Sequence, residues 1–169
     1  MTRIGLVSDT HSFLDTAVFQ HFKDVDEIWH AGDFGTVDIM TQLREFKPLR
    51  GVWGNIDGPD IRQQLPEIAQ FTVESVKIVM IHIGGYPGKY TREAKDLLAV
   101  HRPQLFVSGH SHILKVMHDD KLQCLHMNPG AAGHQGWHTM RTLIRFVIDG
   151  AKMRDCEVIE LGRRGAINT

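Results

Sequence analysis

The chain is poor in cysteine, carries no excess of charge of either sign and contains no long apolar run. Its two cysteines, Cys124 and Cys156, stand far apart with no C-x-x-C spacing. This excludes a disulfide-stapled scaffold and fits a reducing compartment. Nineteen Lys and Arg against twenty Asp and Glu leave a formal charge of -1, so no basic field draws nucleic acid and no stable nucleic-acid partner is expected. The apolar stretch at residues 4–7 is too short for a secretory signal, and no later run approaches the length that spans a bilayer. No membrane partner is expected, and the cytoplasm is the expected location. No linker, repeat or low-complexity tract divides the 169 residues, which suffice for one core and fall short of two ordinary ones. A single domain over residues 1–169 is expected, with 162–169 as a frayed tail. The surplus lies in histidine, of which there are eleven, and imidazoles near pH 7 serve metal ligation and proton transfer.

Short Val- and Ile-rich runs alternate with helical periods over the first two thirds. Residues 3–8, 27–31, 49–53, 76–81 and 104–108 read as strands buried on both faces. Between them Leu14, Ala17, Val18, His21 and Phe22 recur at helical spacing, with Ser12 placed as N-cap and Asp15 as its N3 carboxylate. Ile39, Leu43 and Phe46 mark a second helix, and Ala94, Leu97, Leu98 and His101 a third that stops before Pro103. Strand, helix, strand implies parallel pairing. Beyond Gly109 the runs 113–118, 121–127, 141–148 and 152–161 are strand-like and joined at Asp119-Asp120 and Asp149-Gly150, which predicts an antiparallel half. Residues 67–75 supply a further strand that turns at Glu74-Ser75 into Val76. The two halves must share a core, so an α/β fold of two sheets packed face to face with helices outside is expected.

Every strand of the first set is followed by a side chain that can hold a metal. Asp9 and His11 follow the first, Asp33 the second, Asn55 the third, His82 the fourth, and His110 and His112 the fifth. The intervals between them match one strand plus its crossover, so the groups should line up along one sheet edge. In Asp9-x-His11 and His110-x-His112 the intervening residue is expected to let both side chains turn the same way. Gly32, Gly54 and Gly109 ahead of the polar groups suit backbone that approaches an ion closely. Each fragment alone has an ordinary reading: a strand-end Asp as helix cap, Gly-Asn as a turn, a His as a hydrogen-bonded core residue. Five of them in order at the same end of consecutive strands point to a metal site. Carboxylate, amide and imidazole donors suit a borderline divalent ion, with manganese expected and nickel, zinc, iron or cobalt as alternatives. Seven donors are too many for one ion, whereas two ions sharing a bridging carboxylate would use them.

The order Asp-x-His, Gly-Asp, Gly-Asn, His, Gly-His-x-His resembles the calcineurin-like metallophosphoesterases, most closely their small single-domain bacterial and archaeal phosphodiesterase branch. Ser8-Asp9-Thr10-His11, Gly54-Asn55-Ile56-Asp57, Gly109-His110-Ser111-His112 and Asn128-Pro129-Gly130 carry the resemblance, which runs from Ile4 to about Gly130. It implies a four-layer α-β-β-α sandwich with two mixed β-sheets packed face to face. By motif it implies that Asp9, His11 and His112 hold a first metal, that Asn55, His82 and His110 hold a second, and that Asp33 bridges them. Asp33, Asn55 and His110 form the implied catalytic set. The implied activity is hydrolysis of small phosphate esters, diesters foremost, by in-line attack of a hydroxide shared between the ions. A phosphomonoesterase or nucleotide pyrophosphatase would use the same site. The fold is also similar to that of a retromer scaffold subunit, so a non-catalytic binding role is the rival class.

The wider family carries a histidine directly after Gly-Asn, and here that place is Ile56; the small branch is similar in lacking it. A leaving-group proton must then come from elsewhere, which predicts a preference for esters whose alcohol leaves as a stable anion. Residues 84–90 read as a mobile wall that, with Arg92, offers Tyr86 and Lys89 to a substrate, or as an ordinary loop; Ile83 before them stands where the branch more often has glycine. His30 reads equally as support for a ligand and as a core histidine. His134, Gln135, Trp137 and His138 read either as reaching the site from the antiparallel side or as surface residues, with the surface expected. His21 and His101 are expected on packing faces, and His118 in a solvated turn. Exposed edge strands leave a homo-oligomer open.

Overall fold

A computed structural model of the chain describes residues 1–165. Its elements in chain order are β1 (Thr2–Val7), α1 (Ala17–His21), β2 (Glu27–His30), α2 (Val37–Phe46), β3 (Leu49–Gly51), α3 (Pro59–Arg62), β4 (Ile68–Val73), β5 (Val76–Ile81), β6 (Gly85–Tyr86), β7 (Lys89–Tyr90), α4 (Arg92–His101), β8 (Leu105–Val107), β9 (Lys115–Asp119), β10 (Cys124–Asn128), β11 (Met140–Asp149) and β12 (Lys152–Arg163). They form two five-stranded sheets, β12-β11-β1-β2-β3 and β4-β5-β8-β10-β9, beside a short β6-β7 hairpin. Strands β1, β2 and β3 run parallel in the first sheet, as do β5, β8 and β10 in the second. Antiparallel β11, β12, β4 and β9 flank these centres. The division between parallel and antiparallel pairing, expected along the chain, is instead repeated within each sheet. In particular β10 is parallel to β8, because the chain runs back through β9 at the sheet edge and reverses again into β10.

Side-chain alternation sorts the apolar residues into three cores. Ile4 and Leu6 of β1, Ile78 and Met80 of β5, Leu105 and Val107 of β8, and Ile144 and Phe146 of β11 meet between the sheets. Trp29 lies among them, edge-on to Phe71 and Phe146 at 5.0 and 5.6 Å. Their neighbours face outward: Val7 and Ile28 pack on Phe22, Met40, Leu43 and Ile61 of the first helical layer. On the far side Val79, Ile81 and Phe106 pack on Ala94 and Leu98 of α4. Three buried layers separate four structural ones, giving the α-β-β-α sandwich with two mixed sheets. Each fully buried apolar side chain contributes about 1.5–3 kcal/mol, so the period of the apolar residues decides which face turns inward.

Local departures have local causes. Helix α1 starts only after Thr16 and has no side-chain cap. Ser12, expected as that cap, is held at φ 65° with its N–H on the Phe34 carbonyl at 2.8 Å. Asp15 accepts from the Ala17 N–H at 2.9 Å and belongs to an ion pair rather than a capping box. Helix α3, opened by Pro59 at its first turn, has no counterpart in the apolar periodicity. Helix α4 begins on a Thr91 cap and ends at Arg102, ahead of Pro103 as expected. Fraying from residue 162 does not hold: β12 continues to Arg163, and the Arg164 N–H donates to the Thr139 carbonyl at 2.9 Å. Residues 166–169 lie outside the described residues. Among the described residues no helix is long and apolar enough to cross a membrane.

The fully buried Arg141 donates to Asp15 Oδ2 at 2.9 Å and to the carbonyls of Leu161 and Ala132 at 3.1 and 3.4 Å. It thereby ties β11 and β12 to the loop after β1. Removing one partner of a buried pair leaves an uncompensated charge. Urea unfolding of Asp15→Ala is therefore expected to show a loss of about 3–5 kcal/mol. Glu157→Ala breaks the exposed 2.6 Å pair with Arg145 and should cost under about 1 kcal/mol.

Candidate metal centre

Five strand ends meet in one place, and they come from two sheets. β1, β2 and β3 send Asp9, His11, Asp33 and Asn55 from the first sheet, while β5 and β8 send His82, His110 and His112 from the second. The single sheet edge expected from the spacing is thus two facing edges, because the chain changes sheet between β3 and β4. Asp9, His11 and His112 each bring a donor atom within 4.8 Å of the others, and Asp33, His82 and His110 do the same. From Asp9 Oδ1 the His112 and His11 Nε2 atoms stand at 3.2 and 3.7 Å. From Asp33 Oδ2 the His82 and His11 Nε2 atoms stand at 3.1 and 3.4 Å. Asp33 therefore presents one oxygen between imidazoles of both groups. Asn55 Oδ1 lies 3.1 Å from His110 Nδ1, so all seven donors expected from the sequence are brought together.

Strand alternation is not what turns these side chains inward. Asp9, His11, Asp33, His110 and His112 all lie in the left-handed region, at φ between 45° and 68°, where a residue with a Cβ is disfavoured by roughly 1–2 kcal/mol. Bonds between neighbouring loops hold them there. The Asp9 N–H donates to Gly32 O at 3.0 Å, His11 N–H to Asp33 O at 3.1 Å, and Gly133 N–H to Asp9 O at 3.0 Å. All three of the expected close approaches are present, a Cβ on Gly32 falling 2.6 Å from His82 Nδ1. A Cβ on Gly54 would stand 2.0 Å from Asp33 Oδ1, and one on Gly109 would stand 2.4 Å from Ser8 Oγ and 2.8 Å from Asp9 Oδ2.

Several buried polar residues brace the loops without supplying a donor. Asp57 Oδ2 accepts from the Asp33 and Gly54 N–H groups at 3.0 and 2.8 Å, and its Oδ1 from Gly35 N–H at 2.9 Å. One carboxylate thus clamps the ends of β2 and β3 together. Asn128 Nδ2 donates to Gly109 O and Ser111 Oγ at 3.0 and 3.1 Å, and its Oδ1 accepts from Gly130 N–H at 3.0 Å. These contacts hold the His110-x-His112 loop. Asp57 stands two residues after the donor Asn55 in the Gly54-Asn55-Ile56-Asp57 motif, and Asn128 opens the Asn128-Pro129-Gly130 motif, which holds no donor. Membership of these motifs is the signal that could have revealed them. His30 combines its two expected readings. Buried and stacked on Phe34 at 3.6 Å, it accepts from Gly32 N–H through Nδ1 at 3.1 Å. Its Nε2 then carries the proton of the neutral ring and donates to Thr10 Oγ1 at 3.1 Å. Burial pushes this imidazole down to about 3, so it remains a neutral strut.

The donors fit a divalent cation. Asp9 Oδ1, His11 Nε2 and His82 Nε2 are buried with no hydrogen-bond partner, an unfavourable state for convergent polar atoms unless a cation satisfies them. His82 is preset for that role: its Nδ1 lies 2.7 Å from the Ala31 carbonyl, which only accepts, so the proton sits there and Nε2 keeps its lone pair. Burial works to raise the Asp9 carboxyl, but the adjacent His11 and His112 rings outweigh it and hold the group well below the usual carboxylate range. Burial likewise opposes the ionisation of Asp33, and His82 outweighs it. Asp9 raises the His11 imidazole, and His82 is raised by Asp33 and Asp9 against the effect of burial. His110 is lowered, chiefly by burial.

A cavity of about 280 Å³ opens over the donors, rimmed by Ile56, Gln135, Gly136 and Trp137. The loop expected merely at the surface therefore borders the site, although Trp137 itself is 99% exposed. Arg164 Nε donates to the His138 carbonyl at 2.8 Å and His138 Nε2 donates to Gly133 O at 2.8 Å, which draws this loop against His112. Of the residues expected to meet substrate, Tyr86 lines a second cavity that shares His110 with the centre. Lys89 and Arg92 are exposed and line neither cavity. Lys89 stands at the tip of the β6-β7 hairpin, and Arg92 lies on α4, whose buried face is Ala94 and Leu98.

Parallel strand ends from two stacked sheets, presenting carboxylate and imidazole donors to one point, define a metal-binding α-β-β-α sandwich. The family model described as the Calcineurin-like phosphoesterase superfamily domain matches residues 2–150, and the chain belongs to that family. It is 33% identical over 166 residues to a probable metallophosphoesterase of Methanothermobacter thermautotrophicus, a match covering 94% of this chain and 92% of that one. The fold is similar to that of an archaeal phosphodiesterase, with TM-score 0.74, 20% identity, and coverage of 94% of this chain and 99% of the other. It is also similar to Vps29 of Chaetomium thermophilum, with TM-score 0.75, 16% identity, and coverage of 95% and 97%.

With His11 and His82 raised above the ordinary imidazole value, the metal-free site holds its protons to higher pH than free imidazoles do, and a divalent ion must displace them. Manganese affinity is accordingly expected to rise with pH through the neutral range and to fall below it. Titration calorimetry near pH 7 in buffers of different ionisation enthalpy reads the released protons, and a heat independent of buffer would contradict the arrangement.

Proposed function

We propose that the chain is a two-metal phosphodiesterase acting on small phosphate esters. The observation that supports this most directly is the Asp33 carboxylate, with one oxygen between imidazoles of the two donor groups. In this reading Asp9, His11 and His112 hold one ion, Asn55, His82 and His110 hold the other, and Asp33 bridges. When bound, divalent ions, manganese foremost, would supply an acidified water for attack on phosphorus and would neutralise charge on the phosphoryl oxygens. The chain's own residues preset the donors. Asp33 Oδ1 is engaged by the Ile56 N–H at 3.1 Å, which leaves Oδ2 to face the site. His110 and Asn55 stand at its exposed side, where an ester enters. Support for a diester comes from the two cavities that meet at His110 and Ser111, with room for an arm on each side of a phosphate. The unpaired Cys124 and Cys156 accord with a cytoplasmic setting.

After chelation and reloading with manganese, the protein is expected to hydrolyse bis-nitrophenyl phosphate. Asp33→Ala and His110→Ala should each lower kcat by more than the ~10–100-fold typical of residues that merely support ligands, with circular dichroism unchanged. Persistent inactivity across divalent metals and across mono- and diesters would instead favour an interaction protein of the same fold.

In this reading a leaving oxygen on the side of the cavity over the donors meets no separate acid. Among the described residues lining the cavity over the donors, every titratable side chain is one of the seven, and Ile56 stands 46% exposed at the rim. Rates are therefore expected to fall steeply as the leaving alcohol becomes more basic, with nitrophenyl esters far ahead of alkyl esters. Ile56→His should raise alkyl-ester turnover toward the ~10²-fold contribution of a placed general acid and flatten that dependence. Equal rates for both ester types in the unsubstituted protein would refute the assignment.

A further inference from the structure

The second cavity, of about 280 Å³, shares His110 and Ser111 with the metal centre. Its size lies near the lower end of the ~300–1,000 Å³ common for small-molecule sites. Tyr86 and Ile113 supply aromatic and aliphatic lining, and Lys115 and His126 supply the polar groups. Lys115 Nζ stands 3.9 Å from the Tyr86 ring centroid. None of the ion pairs among the described residues engages it. His126 is 1% exposed, and its Nδ1 lies 3.2 Å from the Phe106 carbonyl oxygen. That oxygen only accepts, so Nδ1 holds the ring proton and Nε2 is left as a bare acceptor. Nε2 has no hydrogen-bond partner. Burial, with the nearby Lys115 charge acting the same way, pushes the imidazole down to about 4, which keeps the ring neutral at physiological pH.

The buried acceptor is unfavourable until a ligand pairs it, and the half-buried Lys115 ammonium beside it, engaged in no ion pair, is available to an acceptor on the same ligand. His126 Nε2 requires an N–H or O–H from that ligand, and Lys115 favours an acceptor. The apolar lining requires a ring with apolar faces. A plain aryl group would leave both polar partners unmet. The edges of nucleobases carry a donor and an acceptor side by side on a flat ring, as with the adenine amino group next to a ring nitrogen.

We propose that this cavity is a nucleobase subsite, taking the base of one ester arm of a nucleotide diester whose phosphate lies at the adjoining metal centre. The placement of the phosphate rests on the phosphodiesterase reading above, while the recognition of the base stands on Tyr86, Ile113, Lys115 and His126. Binding to the metal-free protein separates the two. Saturation-transfer NMR with adenosine and cytidine is expected to show transfer to the base protons, with none to ribose 5-phosphate. His126→Phe keeps a ring but removes the acceptor. Ile113→Trp narrows the cavity at a residue 61% exposed, where a larger side chain leaves the fold intact, as thermal unfolding will verify. Each is expected to weaken nucleoside binding by at least about tenfold, the loss of roughly one buried hydrogen bond or its packing equivalent.

Absence of transfer, or equal transfer in Ile113→Trp, would overturn the subsite even if the manganese-loaded protein cleaves bis-nitrophenyl phosphate, and the phosphodiesterase reading would then stand without it. Nucleoside binding lost in both variants, in a protein inactive with every metal, would keep the base site and remove the reaction.

Discussion

Two carboxylates held out of water a few ångströms apart are the constraint around which the chain is arranged. Asp9 and Asp33 are both buried, and neither burial nor their mutual repulsion favours the ionised form. Four imidazoles of the two donor groups surround them and keep both carboxyls ionised. The result is a cluster with more lone pairs than hydrogens, whose surplus negative potential matches a small dication better than any arrangement of the protein's own groups. The same cluster would be costly in a flexible loop, where it could relax by turning outward. Here the side chains cannot turn, because the backbone beneath them is already bonded from strand end to strand end.

The sandwich supplies that rigidity. Three apolar layers fix the relative position of the two sheets, and the parallel strands at the centre of each sheet all end on one side. Five of the seven donor residues then occupy unfavourable backbone angles. The bonds of their amides to neighbouring loops and of the Asp33 N–H to Asp57, together with the Asn128 amide held on the Gly109 carbonyl, compensate for it. Strain is concentrated where chemistry is expected and support is spread over residues with no reactive role. Arg141 extends the support outward, since its guanidinium joins the loop after β1 to both strands of the long terminal hairpin.

Legibility in the sequence followed the range of the interaction. The donors were readable because each strand and its following polar residue are local, and their recurrence in order needs no knowledge of partners. Sheet membership was not readable: nothing near residues 49–76 announces that the chain leaves one sheet for another, so one edge stood in for two. Ser12 was misassigned as a helix cap because its real partner, the Phe34 carbonyl, is distant in sequence. The loop carrying Gln135 and Trp137 looked peripheral for the same reason, since Arg164 draws it against His112 from the far end of the chain. Lys115 and His126 lie on adjacent strands β9 and β10, where Lys115 pairs with Asn128 and His126 with Met117, so they are related only diagonally. Their relation to Tyr86 exists only after the hairpin has docked.

The long hairpin of β11 and β12 adds a last consequence. The stretch that matches the family ends at residue 150, and β12 lies wholly beyond it. Yet its Leu161 carbonyl receives Arg141, and the adjoining Arg164 grips the backbone around His138. A segment outside the stretch matched by the family model thus helps to set the contour of the threshold over the metal centre. Kin that differ only in this terminal ribbon could present different doorways to an identical inner chamber, so selectivity can diverge while the chemistry stays inherited.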